Sequence, residues 1–202
     1  MLSTPVLAPF ALPRRRRWIL AAALVGGLAL GYRECIAFPP DTTPSGAYLR
    51  IAAAIGRGAP EACFAYLEED AQHACFTIAN YAEDARRIIT ESYPDEAKDR
   101  ALAPYAPFAG VAGGAPTWVV LAEARGWLRR LRRDLSGIAA VDIEDDRASV
   151  TTSRSTRYPF RRRANGIWGL TIFTGELVAE VDKLARDAEL IAAAAADYRR
   201  GG

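Results

Sequence analysis

One histidine, three cysteines, one methionine and two lysines among 202 residues leave little material for metal or acid–base chemistry. His73 with Cys63 and Cys75 could offer three ligands, but the cysteines lack the short paired spacing of zinc sites. No metal and no cofactor is therefore expected. Neither a Gly-rich phosphate loop nor a Gly-x-Ser-x-Gly elbow occurs. Charge of one sign is also missing: 26 Lys+Arg face 24 Asp+Glu, and four of the 26 are Arg14–Arg17. The remaining 22 against 24 leave the rest of the chain at −2, which argues against a nucleic-acid partner. No uncharged run reaches the ~20 residues of an ordinary membrane span, and no internal repeat is visible. Half of the residues are hydrophobic, but 40 of the 202 are Ala, so the composition reads as an Ala-rich globular body.

What is present begins with an address. Arg14–Arg17 precede an uncharged stretch, Trp18 to Tyr32, of 15 residues. Basic residues stay on the cytoplasmic side, so everything after Tyr32 is expected across the membrane. Residues 1–32 are read as a signal sequence or N-terminal anchor. Ala29 and Gly31 suit cleavage after Gly31, whereas the 17 residues ahead of Trp18 and the lack of a polar region after the apolar run favour retention. The expected location is the inner membrane, single-pass, with the C-terminal domain in the periplasm; the alternative is secretion to the periplasm after cleavage. Arg33-Glu34 before Cys35 do not fit a lipoprotein signal. The excess of 24 arginines over two lysines suggests a GC-rich, bacterial genome.

Residues 33–43 read as a linker ending at Thr43, an N-cap before Pro44 at the first helical position. Tyr48, Ile51 and Ile55 form the apolar stripe of the first helix, which Gly56-Arg57-Gly58 stops. From Glu61 to Tyr93, Phe64, Leu67, Ala71, Cys75, Ile78, Ala82, Ala85 and Ile89 recur every three or four positions, as in helix. A break at Glu68–Asp70 is expected, with Asp70 capping the second helix. Residues 104–117, with three prolines and three glycines, read as a loop. Helix is expected again from Thr117 to Leu135. The period then falls to two: Val141 and Ile143, Val150 and Thr152, Tyr158 and Phe160 alternate with polar residues, and Asn165-Gly166 leads into an apolar run. Short strands joined by tight turns make an antiparallel meander, and Pro159 suggests an edge strand or a bulge. A helix from Glu176 to Arg200 closes the chain with the stripe Leu177, Val181, Leu184, Ala188, Ile191, Ala195, Tyr198. The fold class is thus α+β: N-terminal helices packed on a four-stranded antiparallel meander, with a long C-terminal helix.

Thr43-Pro44-Ser45-Gly46-Ala47-Tyr48, then Gly58-Ala59-Pro60-Glu61-Ala62, each opening a helix, resemble the start of NTF2-like (SnoaL-like) domains. Tyr158-Pro159-Phe160 through Asn165-Gly166-Ile167-Trp168 is similar to their closing hairpin. The resemblance covers residues 43–173, with 44–175 as the domain and 176–202 as an added helix. It implies a curved sheet around a cone-shaped pocket. The helical segment 61–135 is longer than in that family.

Candidate site residues follow. Asp70 and His73 share a helix face, and NTF2-like enzymes use Asp/His groups in an apolar cone; the plainer reading is a capping aspartate beside a surface histidine. Tyr48, Tyr66, Tyr158 and Trp168 are candidates to line a ligand pocket, or else core. Cys63 and Cys75 come within disulfide reach if the chain turns between them, and stand about 18 Å apart if one helix is continuous. Arg129, Arg130, Arg132, Arg133 and Arg161–Arg163 are read as solvated or paired with Glu144, Asp145 and Asp146, or as contacts to lipid headgroups. The expected function is an envelope-located, non-catalytic ligand-binding or protein-assembly module. The alternative is a small lyase or isomerase using Asp70 and His73. Partners are the membrane, through the N-terminal segment, and a protein or second copy through residues 190–200, where the second half of the last helix is expected to extend beyond the domain.

Overall fold

The computed structural model describes residues 38–201. The expectations about residues 1–32, including the anchor and its cleavage, lie outside the described residues. Within the described part no helix is long and apolar enough to cross a membrane.

Residues from Pro39 onward form one compact unit. Helix α1 spans Pro44–Gly56, and Thr43 caps it as expected, its hydroxyl oxygen accepting from the Gly46 amide at 3.1 Å. Gly46 is required by a close approach: a Cβ there would stand 2.0 Å from the Pro40 carbonyl oxygen. The 39–43 strap is thereby pressed against the first turn of α1. A 3-10 segment, Pro60–Tyr66, follows, and then α2, Glu69–Ser92.

The break between them is real, but Asp70 is not the cap. Glu68 holds that position without a side-chain capping bond, and Asp70 lies exposed in the first turn. Leu67 and Glu68 are extended instead, because the Glu68 amide donates to the Leu170 carbonyl at 3.1 Å. Sheet pairing, not a capping side chain, ends the first helical stretch.

Residues 104–117 are more ordered than their prolines and glycines suggest. A short helix α3, Asp95–Leu102, runs into a 3-10 turn, Ala103–Phe108, and α4 starts at Gly114 and ends at Ala124. The helix expected from Thr117 to Leu135 is two. Gly126 adopts φ 72°, the left-handed conformation that ends helices, and α5 begins at Trp127 and ends at Asp134. The bend lets Trp127 stack on Phe173, centroids 4.6 Å apart, and on Trp118 at 5.6 Å.

Strands β1 (Ile138–Glu144), β2 (Arg147–Thr152), β3 (Arg157–Arg162) and β4 (Trp168–Leu170) form an antiparallel meander in that order. Val141, Val150 and Tyr158 lie side by side, as do Ile143, Ala148, Phe160 and Leu170, so one face carries the apolar set. Helix α1 packs against it. The other face carries Asp142, Ser149 and Pro159, and Glu144, Arg147 and Arg161. Ile143 sits on the apolar side yet is 58% exposed, because β1 is the sheet edge.

Pro159 corrects an expectation: its strand is third of four, paired on both sides. The Pro159 carbonyl accepts from the Thr171 amide at 3.1 Å. In an extended residue the N–H and C=O point the same way, so the missing donor faces the segment just past the end of β4. There no ladder bond is lost.

The last helix, α6, spans Thr174–Gly201. It runs parallel to α2: Thr174 meets Glu68 at one end, and the Tyr198 ring packs tilted against Tyr93 (centroids 4.9 Å apart) at the other. The α2 stripe of Ala71, Ala74, Cys75, Ile78, Ala82, Ala85 and Ile89 is buried; its alanines permit a close seam with Leu177, Leu184, Ile191 and Ala195. Ala195 is fully buried, so the second half of α6 does not extend beyond the domain; it belongs to its own chain's core.

Candidate functional site

The structure separates the residues that the sequence offered as a site. Asp70 and His73 are both exposed, and no hydrogen bond or ion pair joins them among the described residues. His73 borders a shallow groove with Glu69, Gln72 and Arg163, outside the core.

Three of the four aromatic candidates are core. Tyr48, Tyr158 and Trp168 are each no more than 3% exposed, and the two tyrosine rings pack at 5.6 Å. Tyr48 donates its hydroxyl to the Ser136 carbonyl (2.6 Å) and accepts from the Ser136 amide (3.0 Å). Burial raises its pKa and the Ser136 bond partly opposes the rise. Burial, with Tyr48 and Asp134 adding to it, pushes the Tyr158 phenol up to about 12. The Trp168 indole N–H donates to the Thr42 carbonyl at 3.1 Å, which ties the strap to β4. Tyr66 is half-buried. Tyr48, Tyr158 and Trp168 belong to the buried cluster between α1 and the sheet.

Cys63 and Cys75 are free thiols, both buried. Burial, with Glu61 adding a smaller effect, pushes the Cys63 pKa up to about 12. Burial alone does the same to Cys75, up to about 12. Neither is a thiolate at neutral pH, so both act as small hydrophobes. No group of three or more His, Cys, Asp or Glu among the described residues could hold a metal ion.

What the fold does assemble is a polar junction around Glu68. This side chain is 7% exposed. One carboxylate oxygen accepts from Arg161 at 3.2 Å and the other from the Thr174 hydroxyl at 2.7 Å. Arg161 also reaches Asp146 at 3.4 Å, which realises one of the expected pairings of the arginine hairpin. Arg163 donates to the carbonyls of Ala65 and Leu67, each at 3.0 Å. Segments 65–68, 161–163 and 174 are thus clamped together by charge-assisted bonds.

Three shallow depressions meet at Arg163 and Ala164, with volumes of ≈ 430, ≈ 250 and ≈ 210 Å³. Their rims mix Arg161–Arg163 with Glu68, Glu69, Asp70 and Asp146. The junction is of mixed sign, its buried carboxylate is already paired, and its bonds hold the three segments together. Sequence reading missed Glu68. Its one available signal was Gly169, a glycine inside an apolar strand, where a Cβ would stand 2.7 Å from the Glu68 Cα.

No family model matches the chain, and no curated protein or solved structure is significantly similar to it.

Proposed function

We propose that this chain is a membrane-tethered envelope protein whose domain is a non-catalytic binding or assembly module of NTF2-like type. One observation carries the preference for binding over catalysis: Tyr48, Tyr158, Phe160 and Trp168 fill the interior between α1 and the sheet. An enzyme of that fold type works inside a cone, and here that volume is occupied by core. The order of elements (capped helix, second helical stretch, meander, closing hairpin at Asn165-Gly166) supports the NTF2-like reading. The lyase or isomerase alternative asks for His73 in an enclosed pocket, and the exposure of that side chain gives it no support.

Arg14–Arg17 ahead of the apolar stretch support the tether and the outward-facing domain. A fusion of residues 1–60 to alkaline phosphatase is expected to be active, and a cytoplasmic reporter at the same point silent. The reverse pattern overturns the location. For the role, the full chain captured from cross-linked, solubilised membranes should bring down a stoichiometric partner that a strap-and-hairpin variant loses. Turnover of a small substrate abolished by His73→Ala would overturn the non-catalytic reading.

A further inference from the structure

Helix α5 presents the strongest concentration of one charge in the domain. Trp127, Leu128 and Leu131 are buried, while Arg129, Arg130, Arg132 and Arg133 are exposed on its outer side. The β2–β3 turn adds Arg154, whose guanidinium donates to the Arg133 carbonyl at the C-terminal end of α5. That contact fixes the turn's cation against the helix and suits the negative end of its dipole. Over 127–137 and 151–157 the only carboxylate is Asp134, held by Arg133 at 2.8 Å and Arg130 at 3.9 Å. Arg129 and Arg132 make no ion pair or hydrogen bond among the described residues. Five clustered arginines face one carboxylate and repel one another; Arg130, Arg133 and Arg154 have bonds in the fold, and Arg129 and Arg132 are the two that, among the described residues, have none.

We propose that this face, Arg129–Arg133 with Arg154, docks the domain on the anionic phospholipid headgroups of its own membrane. The inference rests on the tethered reading of the N-terminal segment. Only residues 33–38 separate the apolar stretch from the strap, a reach of about 20 Å. The strap enters α1 at Pro44, and Tyr48, one helical turn later, is bonded to Ser136, two residues beyond Asp134. The strap itself meets the sheet at the other end of β3, where the Trp168 indole donates to Thr42, so the arginine face stands one six-residue strand, ~20 Å, from where the chain enters, a span that residues 33–38 can cover. Guanidinium groups pair with phosphate oxygens through two parallel bonds, and an exposed helix face suits a plane of headgroups.

The test uses the full chain in nanodiscs of phosphatidylcholine alone or with three parts in ten phosphatidylglycerol, reading amide hydrogen exchange. Residues 127–135 and 152–157 should exchange more slowly with the anionic lipid, and high salt should remove the difference. The Arg129→Gln/Arg132→Gln variant, which breaks no bond in the fold, should keep its melting temperature. Each basic residue near an anionic surface is worth about five-fold in binding, so this variant should lose roughly 25-fold in lipid-dependent protection. Equal exchange in both lipids, or protection that zwitterionic lipid gives equally, overturns the proposal. So does protection by an added acidic protein that anionic lipid does not reproduce. Failure of the chain to co-elute with nanodiscs overturns the tether and this proposal with it. Co-elution without lipid-dependent protection overturns this proposal alone.

Discussion

Gly169→Ala places one methyl group where three backbone atoms already stand. Its Cβ would lie 2.7 Å from the Glu68 Cα, 2.8 Å from the Glu68 nitrogen and 2.8 Å from the Leu67 oxygen. Backbone cannot step aside as a flexible side chain does, so segment 67–68 must leave β4. That costs about 1–3 kcal/mol of overpacking. It also strains the amide bond from Glu68 to Leu170 and the carboxylate bonds to Arg161 and Thr174, of which one or two lost add about 1–3 kcal/mol. The expected loss is about 2–6 kcal/mol, or roughly 4–24 °C in Tm for a domain of this size. Gly56→Ala, which meets nothing within 4 Å at the end of α1, is the control and should be neutral or slightly stabilising. Both variants are compared with wild type by urea and thermal unfolding of the full chain in detergent. A Gly169→Ala protein within about 0.5 kcal/mol of wild type would refute the close approach of segment 67–68 and the junction built on it.

Deleting residues 190–202 removes buried Ile191 and Ala195 and the Tyr93–Tyr198 ring pair, and should cost about 3–5 kcal/mol by thermal unfolding; an unchanged Tm would refute the α2–α6 seam. Burial raises the pKa values of Cys63, Cys75 and Tyr158 to about 12 in the folded chain, against ordinary values of 9.0 for the thiols and 10.0 for the phenol. These groups therefore favour folding fully below pH 9 and lose that contribution as pH rises from 9 towards 12, so urea midpoints should fall across that window and stay level between pH 7 and 8.5 as far as these groups are concerned. A thiol reagent at pH 7.5 should leave Cys63 and Cys75 unmodified until the chain unfolds, read by mass spectrometry. His73→Ala should shift stability by less than about 0.5 kcal/mol in the same unfolding assay.

The period of apolar residues made most of the architecture legible. Thr43-Pro44, the Ala71–Ile89 stripe and the alternation from Val141 to Phe160 each follow from local geometry, and the structure carries all three. Errors occur where a distant segment decides. Glu68 is extended because Leu170 lies beside it, and no neighbour in sequence announces that. Gly126 was readable as a stop, but the continuing Leu121, Leu128, Leu131 stripe masked it, because both short helices bury the same side. Pro159 was read by the rule for full ladders, whereas β4 is only three residues long. The candidate site was least legible. A tyrosine that lines a cavity and one that fills it have the same sequence signature, and only packing tells them apart.

The parallel pairing of α2 and α6 has a consequence in time. Glu68 and Thr174 touch across 106 residues, so α2 can acquire its partner only after everything between them has been made. Until residues 174–201 emerge, the alanine seam of α2 has no cover, and Cys75, Ile78 and Ile89 are open to water or to another chain. Contacts of such separation slow folding and lengthen the life of partly folded species. Synthesis at about 5–20 residues per second leaves that seam bare for several seconds. A chain that stalls or is clipped before α6 is therefore a sticky fragment rather than a smaller domain, and its fate falls to chaperones and proteases.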